Sequence, residues 1–250
     1  MSGQIEKRSN EGVLSLVLAR PEKKNALTGA MYDALTAGLT EASKDDGVGA
    51  ILISGKGGVF TAGNDIGDFL ALSESLDVSP GGRFLQTLAA FEKPIVAAVE
   101  GPAVGIGATL CFHCDLVYAA ANASFQMPFV NLALVPENGS SLLAPQRFGI
   151  AKASEYLLLG EAFGAAEAYR LGLVNEVVEA GALHAYALAK AKALAAKPRA
   201  AMLATRKLLR GDPTVVAARI AKENRAFSEA VRSPEARAFF SAFLQKSKAS

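Results

Sequence analysis

Glu137 is the only carboxylate in Met127-Pro128-Phe129-Val130-Asn131-Leu132-Ala133-Leu134-Val135-Pro136-Glu137-Asn138-Gly139, a segment that is otherwise almost wholly apolar. A carboxylate held against apolar walls loses hydration. That disfavours its charged form and raises its proton affinity towards what a general base near neutral pH requires. Pro136-Glu137-Asn138-Gly139 is also good turn chemistry, because Asn and Gly tolerate positive φ, and a Glu on such a turn usually faces solvent. The balance shifts to chemistry through two further segments.

The first runs from Pro94 to Ala108: a buried strand, a turn carrying Gly101, Gly105 and Gly107, and the start of a helix. Glycines let a ligand approach the backbone, and the free amides of a helix N-terminus point at negative charge. The spacing is not that of a dinucleotide fingerprint, since Leu110 stands where a third glycine is expected and Phe125 to Phe129 holds no acid for a ribose. Gly55-Lys56-Gly57 likewise lacks the Lys-Ser/Thr pair of a Walker loop. The turn suits a developing oxyanion. The second segment, Gly58-Val59-Phe60-Thr61-Ala62-Gly63-Asn64-Asp65-Ile66, leaves an apolar strand; there Asp65 is placed to cap the following helix, which leaves the Asn64 N–H free. Asn64 itself also suits a tight turn.

The elements that must position these groups alternate. Apolar, β-branched runs at Val13 to Ala19, Ala50 to Ser54, Ile95 to Val99, Leu116 to Ala119 and Ser124 to Met127 predict strands, with helices over Thr28 to Lys44 and Arg83 to Phe91. This is an α/β arrangement. From about residue 142 the pattern is helical, with a short strand at Val174 to Val178; Gly149, Gly160, Gly164, Gly172, Gly181 and Gly211 read as helix stops, and Pro198, Pro213 and Pro234 as starts or breaks. A mobile loop is expected over Ser73 to Gly82.

Composition excludes several classes. With 51% apolar and 20% charged residues in a chain of 250, a substantial core is available and disorder is not expected. Lys plus Arg exceed Asp plus Glu by only two, 26 against 24, which gives no electrostatic footprint for nucleic acid; Lys197 to Arg199 and Arg206 to Arg210 read as solvated helix faces. Cys111 and Cys114 form Cys-x-x-Cys around His113, a spacing also met in redox and zinc sites. Only two Cys and two His exist, His184 is distant, and the expectation is two reduced cysteines packed inside a helix, with no metal. The first residues show no basic run before an apolar core and no apolar stretch reaches membrane-spanning length, so a soluble, cytoplasmic protein without membrane contact is expected.

The ordered segments Arg20-Pro21-Glu22-Lys23-Lys24-Asn25-Ala26-Leu27, Phe60 to Ile66, Glu100 to Ala108, Cys114-Asp115-Leu116 and Ala165 to Val177 together resemble the crotonase (enoyl-CoA hydratase/isomerase) superfamily over essentially the whole chain. The resemblance implies the crotonase/ClpP-like α/β class: a spiral of ββα units with two nearly perpendicular sheets over residues 1–195, and a helical trimerisation region over 196–250. It implies acyl-coenzyme A thioesters as substrates, coenzyme A being part of the substrate and no separate cofactor being needed, and a homotrimer or a hexamer of paired trimers. By family position the oxyanion donors would be the backbone amides of Asn64 and Ile106. Coenzyme A contacts would fall at Lys24, Ala26, Ala62, Asp65 and Ile66, with Lys246 a further phosphate partner. Two-carboxylate hydratases would carry acids at Thr109 and Phe129, and neither is acidic here. The segment around Glu137 is similar to peroxisomal-type Δ3,Δ2-enoyl-CoA isomerases, with Asn138 where related isomerases often carry Gly. The expectation is therefore an isomerase with Glu137, ionised in the free enzyme, as proton shuttle, and Phe129 and Val135 as walls of the acyl pocket. The alternatives are a hydratase or another crotonase-type lyase, and a member that binds thioesters without turnover.

Overall fold

The computed structural model of this chain describes residues 4–70 and 79–248. Strands β1 (Ile5–Asn10) and β2 (Val13–Leu18) form an antiparallel hairpin whose two turn residues, Glu11 and Gly12, both take positive φ, the geometry that matches the twist of paired strands. Helix α1 (Gly29–Lys44) then crosses over to β3 (Ala50–Gly55), which lies parallel to β2. Past α2 (Ile66–Leu70) and α3 (Pro80–Ala90) the chain enters β4 (Ile95–Val99), then the short β5 (Pro102–Val104), α4 (Ile106–Cys111), β6 (Leu116–Ala120) and β7 (Ser124–Gln126). There follow α5 (Ser140–Leu158), β8 (Ala162–Gly164), α6 (Ala165–Arg170), β9 (Glu176–Val178), α7 (Ala180–Ala195), α8 (Arg199–Arg210), α9 (Pro213–Val231) and α10 (Pro234–Lys248). The large sheet has the order β1-β2-β3-β4-β6-β9 and a second sheet the order β5-β7-β8.

Successive side chains on a strand point to opposite faces, so strands apolar throughout must be covered twice. On one face Ala50, Leu52, Val96 and Ala98 meet Leu183, Ala187 and Ala191 of α7. On the other, Ile51, Ile53, Ile95, Ala97 and Val99 join the main core with Leu35 and Leu39 of α1 and Phe84 and Leu88 of α3. α9 packs against α3 and α5.

All the expected strands are present, with Val174–Val178 shortened to β9. The three that were not expected have local reasons: β1 is a largely exposed edge strand with a polar sequence, and β5 and β8 are three residues each. Part of the expected loop at Ser73 to Gly82 is helix: Ser79 Oγ accepts the Gly82 N–H at 3.0 Å and Pro80 opens α3, while residues 71–78 lie outside the described residues. Two glycines do not stop helices. Gly164 ends β8 with extended backbone and caps α6, and Gly181 lies inside α7. At Gly149 the backbone leaves helical geometry (φ 74°, ψ 158°), so α5 is two helical stretches across a kink and the expected stop is present.

The solvated face expected at Arg206 to Arg210 is a clamp. Arg206 is 11% exposed; its Nε donates to both Asp115 oxygens at 2.9 Å and its Nη1 to the Phe91 carbonyl at 2.8 Å. Arg210 adds bonds to Asp115 (2.9 Å) and the His113 carbonyl (2.6 Å), while Asp115 also accepts the Ile95 N–H at 2.8 Å. One carboxylate thus ties α8 to the start of β4. Removing it strands two guanidinium groups, so Asp115→Ala is expected to lower the urea unfolding free energy by about 2–3 kcal/mol, and a midpoint within error of the parent would contradict the clamp.

Candidate active site

Glu137 sits at the turn that opens α5, and the turn dictates its direction. Asn138 and Gly139 take φ of 60° and 73°, and the Glu137 carbonyl accepts both the Ser140 N–H (3.0 Å) and its Oγ–H (2.6 Å). The backbone of Glu137 is thus tethered to the first residue of α5, and its side chain goes inward. It is 4% exposed and lines a cavity of about 90 Å³. Its Oε1 is buried without a hydrogen-bond partner.

Burial, and behind it the charge of Glu223, pushes the Glu137 carboxyl up to about 8. This runs against the expected ionised resting state: the buried carboxyl holds its proton more tightly than a solvated Glu does. The acid awaits deprotonation, and once ionised it is a far stronger base than a solvated Glu.

The opposite side of the cavity is backbone. Ala62, Gly63 and Asn64 line it from one loop, Val104 and Gly105 from another. The loops are stitched together where the Thr61 N–H donates to the Pro102 carbonyl (2.9 Å) and the Val104 N–H to the Thr61 carbonyl (3.0 Å). A Cβ on Gly107 would meet Thr61 Cγ2 at 2.5 Å, so this closeness requires glycine. The Leu27 N–H donates to the Gly63 carbonyl (2.8 Å) and the Asp65 N–H to the Leu27 carbonyl (2.9 Å), a bridge that skips the Asn64 N–H. Around the second loop the Gly105 N–H donates to Gln126 (2.9 Å), and the Ala108 and Thr109 N–H groups turn back to Gly105. Ile106, the first residue of α4, has no preceding helical turn to accept its N–H. Two amides without backbone acceptors among the described residues, in loops that share the cavity wall with a desolvated acid, can hold an oxyanion while the acid moves a proton.

Apolar side chains complete the wall: Phe129, Leu132 and Leu134 from the segment before Glu137, Phe227 from α9 and Phe240 from α10.

The Enoyl-CoA hydratase/isomerase family model matches residues 8–250. This chain belongs to that family. Among curated relatives, Enoyl-CoA delta isomerase 2 of Rattus norvegicus is 39% identical over 159 residues, which is 61% of this chain and 40% of that protein, so the chain spans well under two thirds of that relative. Among solved structures, OdaA of Pseudomonas aeruginosa superposes with a TM-score of 0.93 at 44% identity over 96% of this chain and 98% of that one. An enoyl-CoA hydratase/isomerase from Pseudoalteromonas atlantica T6c gives 0.92 at 39% identity over 98% of each.

Of the residues singled out from the sequence, Glu137, Asn64, Ala62, Ile66 and Phe129 line the one cavity, and Ile106 adjoins it next to Gly105. Val135 does not line it; Leu134 does, its N–H returning to the Phe129 carbonyl at 2.8 Å past the left-handed Ala133. Lys24 is exposed and Ala26 partly buried, and neither lines the cavity; their carbonyls accept the Ala62 N–H (2.9 Å) and Arg20 Nη1 (3.1 Å). Asp65 accepts the Gly67 N–H (3.0 Å) as the expected cap, but it also pairs with Arg20 at 2.6 Å, so its side chain is engaged within the chain. The Lys246 side chain lies outside the described residues. Asn138 does not line the cavity: its amide approaches Thr109 Oγ1 at 3.5 Å and its carbonyl accepts from His113 Nε2 at 2.8 Å. Thr109 fills helix space, fully buried and beside the Ile106 carbonyl. Cys111 and Cys114 are free and buried, though Cys114 lies just beyond α4 instead of within it; burial pushes the Cys111 thiol up to about 12 and Cys114 in the same direction, away from thiolate chemistry. Among the described residues no helix is long and apolar enough to cross a membrane.

Two residues escaped the sequence reading. Tyr32, buried on α1, donates its hydroxyl to Asn64 Oδ1; a Tyr on the apolar face of a helix needs such a partner, and that was its signal. Glu223 lies on the buried stripe Ile220, Glu223, Asn224, Phe227 of α9, where a carboxylate at a core spacing was the mark.

Because the folded protein holds the Glu137 proton more tightly than the unfolded chain, stability is fully present below the ordinary value of 4.5 and declines as pH rises towards about 8. Glu137→Gln removes this penalty and is expected to be more stable than the parent by about 4 kcal/mol at pH 8, with the gap closing towards pH 5. Denaturant titrations at the two pH values check it; a gap independent of pH would contradict a desolvated acid.

Proposed function

We propose that this chain is a Δ3,Δ2-enoyl-CoA isomerase that moves a double bond through a dienolate, with Glu137 as the single proton shuttle. The observation that carries this reading is that, among the described residues, one carboxyl lines the cavity, desolvated and unpaired at Oε1, with Thr109 and Phe129 where a second acid would serve hydration. Adding water across a double bond requires that water be oriented and deprotonated while a proton is delivered to carbon. An allylic shift requires only one base.

The carboxylate of Glu137 takes a proton from C2 of the 3-enoyl thioester. The C2–H electron pair forms a C1–C2 double bond conjugated with C3–C4, and the carbonyl π pair moves onto the thioester oxygen, which the N–H groups of Asn64 and Ile106 receive, each lowering the barrier by about 3 kcal/mol. The protonated Glu137 then returns the proton to C4, giving the conjugated 2-enoyl thioester. Phe129, Leu132 and Leu134 keep water from the intermediate and from Glu137. Desolvation serves the reaction twice, since it strengthens the base and the hydrogen bonds to the oxyanion.

In this reading the loop residues Ala62, Asp65 and Ile66 meet the pantetheine arm, with Lys24 and Ala26 on the adjoining segment. In this reading the helices of 196–250 serve assembly into trimers or hexamers, and the enzyme works in the cytoplasm. Relatives named delta isomerases support the assignment.

With a 3-enoyl-CoA the near-ultraviolet absorbance of the conjugated thioester is expected to grow. Because the base must be ionised, kcat/KM is expected to rise with pH through a midpoint near 8 and level off above it. Glu137→Gln is expected to bind substrate with little change while kcat falls on the order of a thousandfold. Turnover by that variant equal to the parent, or faster hydration of a 2-enoyl thioester than isomerisation of the 3-enoyl one, would overturn the proposal.

A further inference from the structure

The Glu137 turn is held from behind by a second carboxylate 86 positions later in the chain, since 223 less 137 is 86. Glu223 of α9 is 6% exposed. Its Oε2 accepts the Gly139 N–H at 2.6 Å, and its Oε1 accepts both the Ser141 N–H at 2.9 Å and the Ser141 Oγ–H at 2.5 Å. These amides belong to the opening of α5, which no side chain of the turn caps: Gly139 is the cap residue and has none. Glu223 supplies the missing cap from another helix, and its negative charge meets the positive end of α5.

We propose that Glu223 is a positioning residue for the reaction, holding Gly139 and Ser141 so that the left-handed turn at Asn138 and Gly139 aims the Glu137 carboxyl into the cavity. The inference deepens the proposed function and rests on Glu137 being the base. A carboxylate is suited to the task because it offers two charged acceptor oxygens, one to Gly139 and one to Ser141, which a hydroxyl or an amide cannot match. A nearby charge also makes Glu137 harder to ionise. The same residue therefore fixes where the base points and keeps it a strong one.

Among the described residues, the charged and titratable groups around the pair lie on α9, on α1 and just beyond α4. Arg219, one turn earlier on α9, donates to the Ser141 carbonyl (3.3 Å) and Oγ (3.1 Å) and moderates the charge of Glu223. Tyr32 of α1 faces Glu137 and is held neutral by burial. His113, beyond α4, bonds the Asn138 carbonyl and burial pulls it down to about 4, so it too is neutral. Glu223 is then the charge that bears on Glu137 from behind.

Two variants separate positioning from scaffolding. Glu223→Gln keeps an acceptor for Gly139 but has no charge. In a carboxyl-selective 13C NMR titration of the free protein, with Glu137→Gln identifying the resonance, the Glu137 midpoint is expected to move down by several tenths of a pH unit. Ser141→Ala removes the Oγ–H bond while leaving the charge, and is expected to lower kcat on a 3-enoyl thioester several-fold with KM within about twofold, as loss of alignment without loss of binding requires. An unmoved Glu137 midpoint in Glu223→Gln overturns the inference, as does parental kcat in Ser141→Ala. If Glu223→Gln does not fold, Ser141→Ala decides. The titration needs no turnover, so a parent protein without isomerase activity would remove the proposed function while the link between Glu223 and Glu137 was still being read.

Discussion

A carboxyl group deprived of water is the constraint on which the rest of the structure depends. Glu137 gains nothing from its position in terms of stability; burial without a partner for Oε1 raises its proton affinity and taxes the folded state as pH rises. Such a group persists where the surroundings over-determine it, and here they do. The left-handed turn at Asn138 and Gly139, the return bonds from Ser140, and the Glu223 cap together leave the side chain only the cavity to enter. In the proposed reaction that tax is what makes an ordinary glutamate basic enough to attack a C–H bond beside a thioester.

The fold supplies the counterpart, which is backbone. Parallel strands β3 and β4 end side by side, and the loops that leave them are drawn together until glycine alone fits at the contacts. A Cβ at Gly101, where φ is 63°, would meet the Gly58 carbonyl oxygen at 2.2 Å. Amides set in this way cannot follow a ligand about; they are oriented before it arrives, which is the condition under which hydrogen bonds lower a barrier instead of merely binding. Tyr32 extends the same logic, since its hydroxyl fixes the Asn64 side chain and with it the residue whose N–H is left over.

How much of this could be read from the sequence follows from the range of the forces. The buried strands and α1 were legible because apolar periodicity is local, and Glu137 stood out because one acid interrupts an apolar run. The donor loops were legible because glycine spacing next to a strand constrains the backbone. What was missed was set by partners far along the chain. Arg206 looked like surface charge until the fold brought it to Asp115, 91 residues away. Glu223 looked like one acid among many on a helix, although its place in the Ile220 to Phe227 stripe marked it as interior. The ionisation state of Glu137 was misjudged for the same reason: a sequence shows the apolar neighbours but not how completely they close. Val135 and Leu134 were exchanged because the left-handed Ala133, past which the Leu134 N–H returns to the Phe129 carbonyl, is a local kink that apolar periodicity does not show.

The central claim is that one water-excluded carboxyl both takes and returns the proton. Mass spectrometry of the product formed from a 3-enoyl-CoA deuterated at C2, with turnover in ordinary water, tests it most directly. A shuttle on Glu137 is expected to deliver deuterium to C4 in a measurable fraction of the 2-enoyl product. Product wholly free of deuterium at C4, from the first turnover onward, would contradict a single sheltered base.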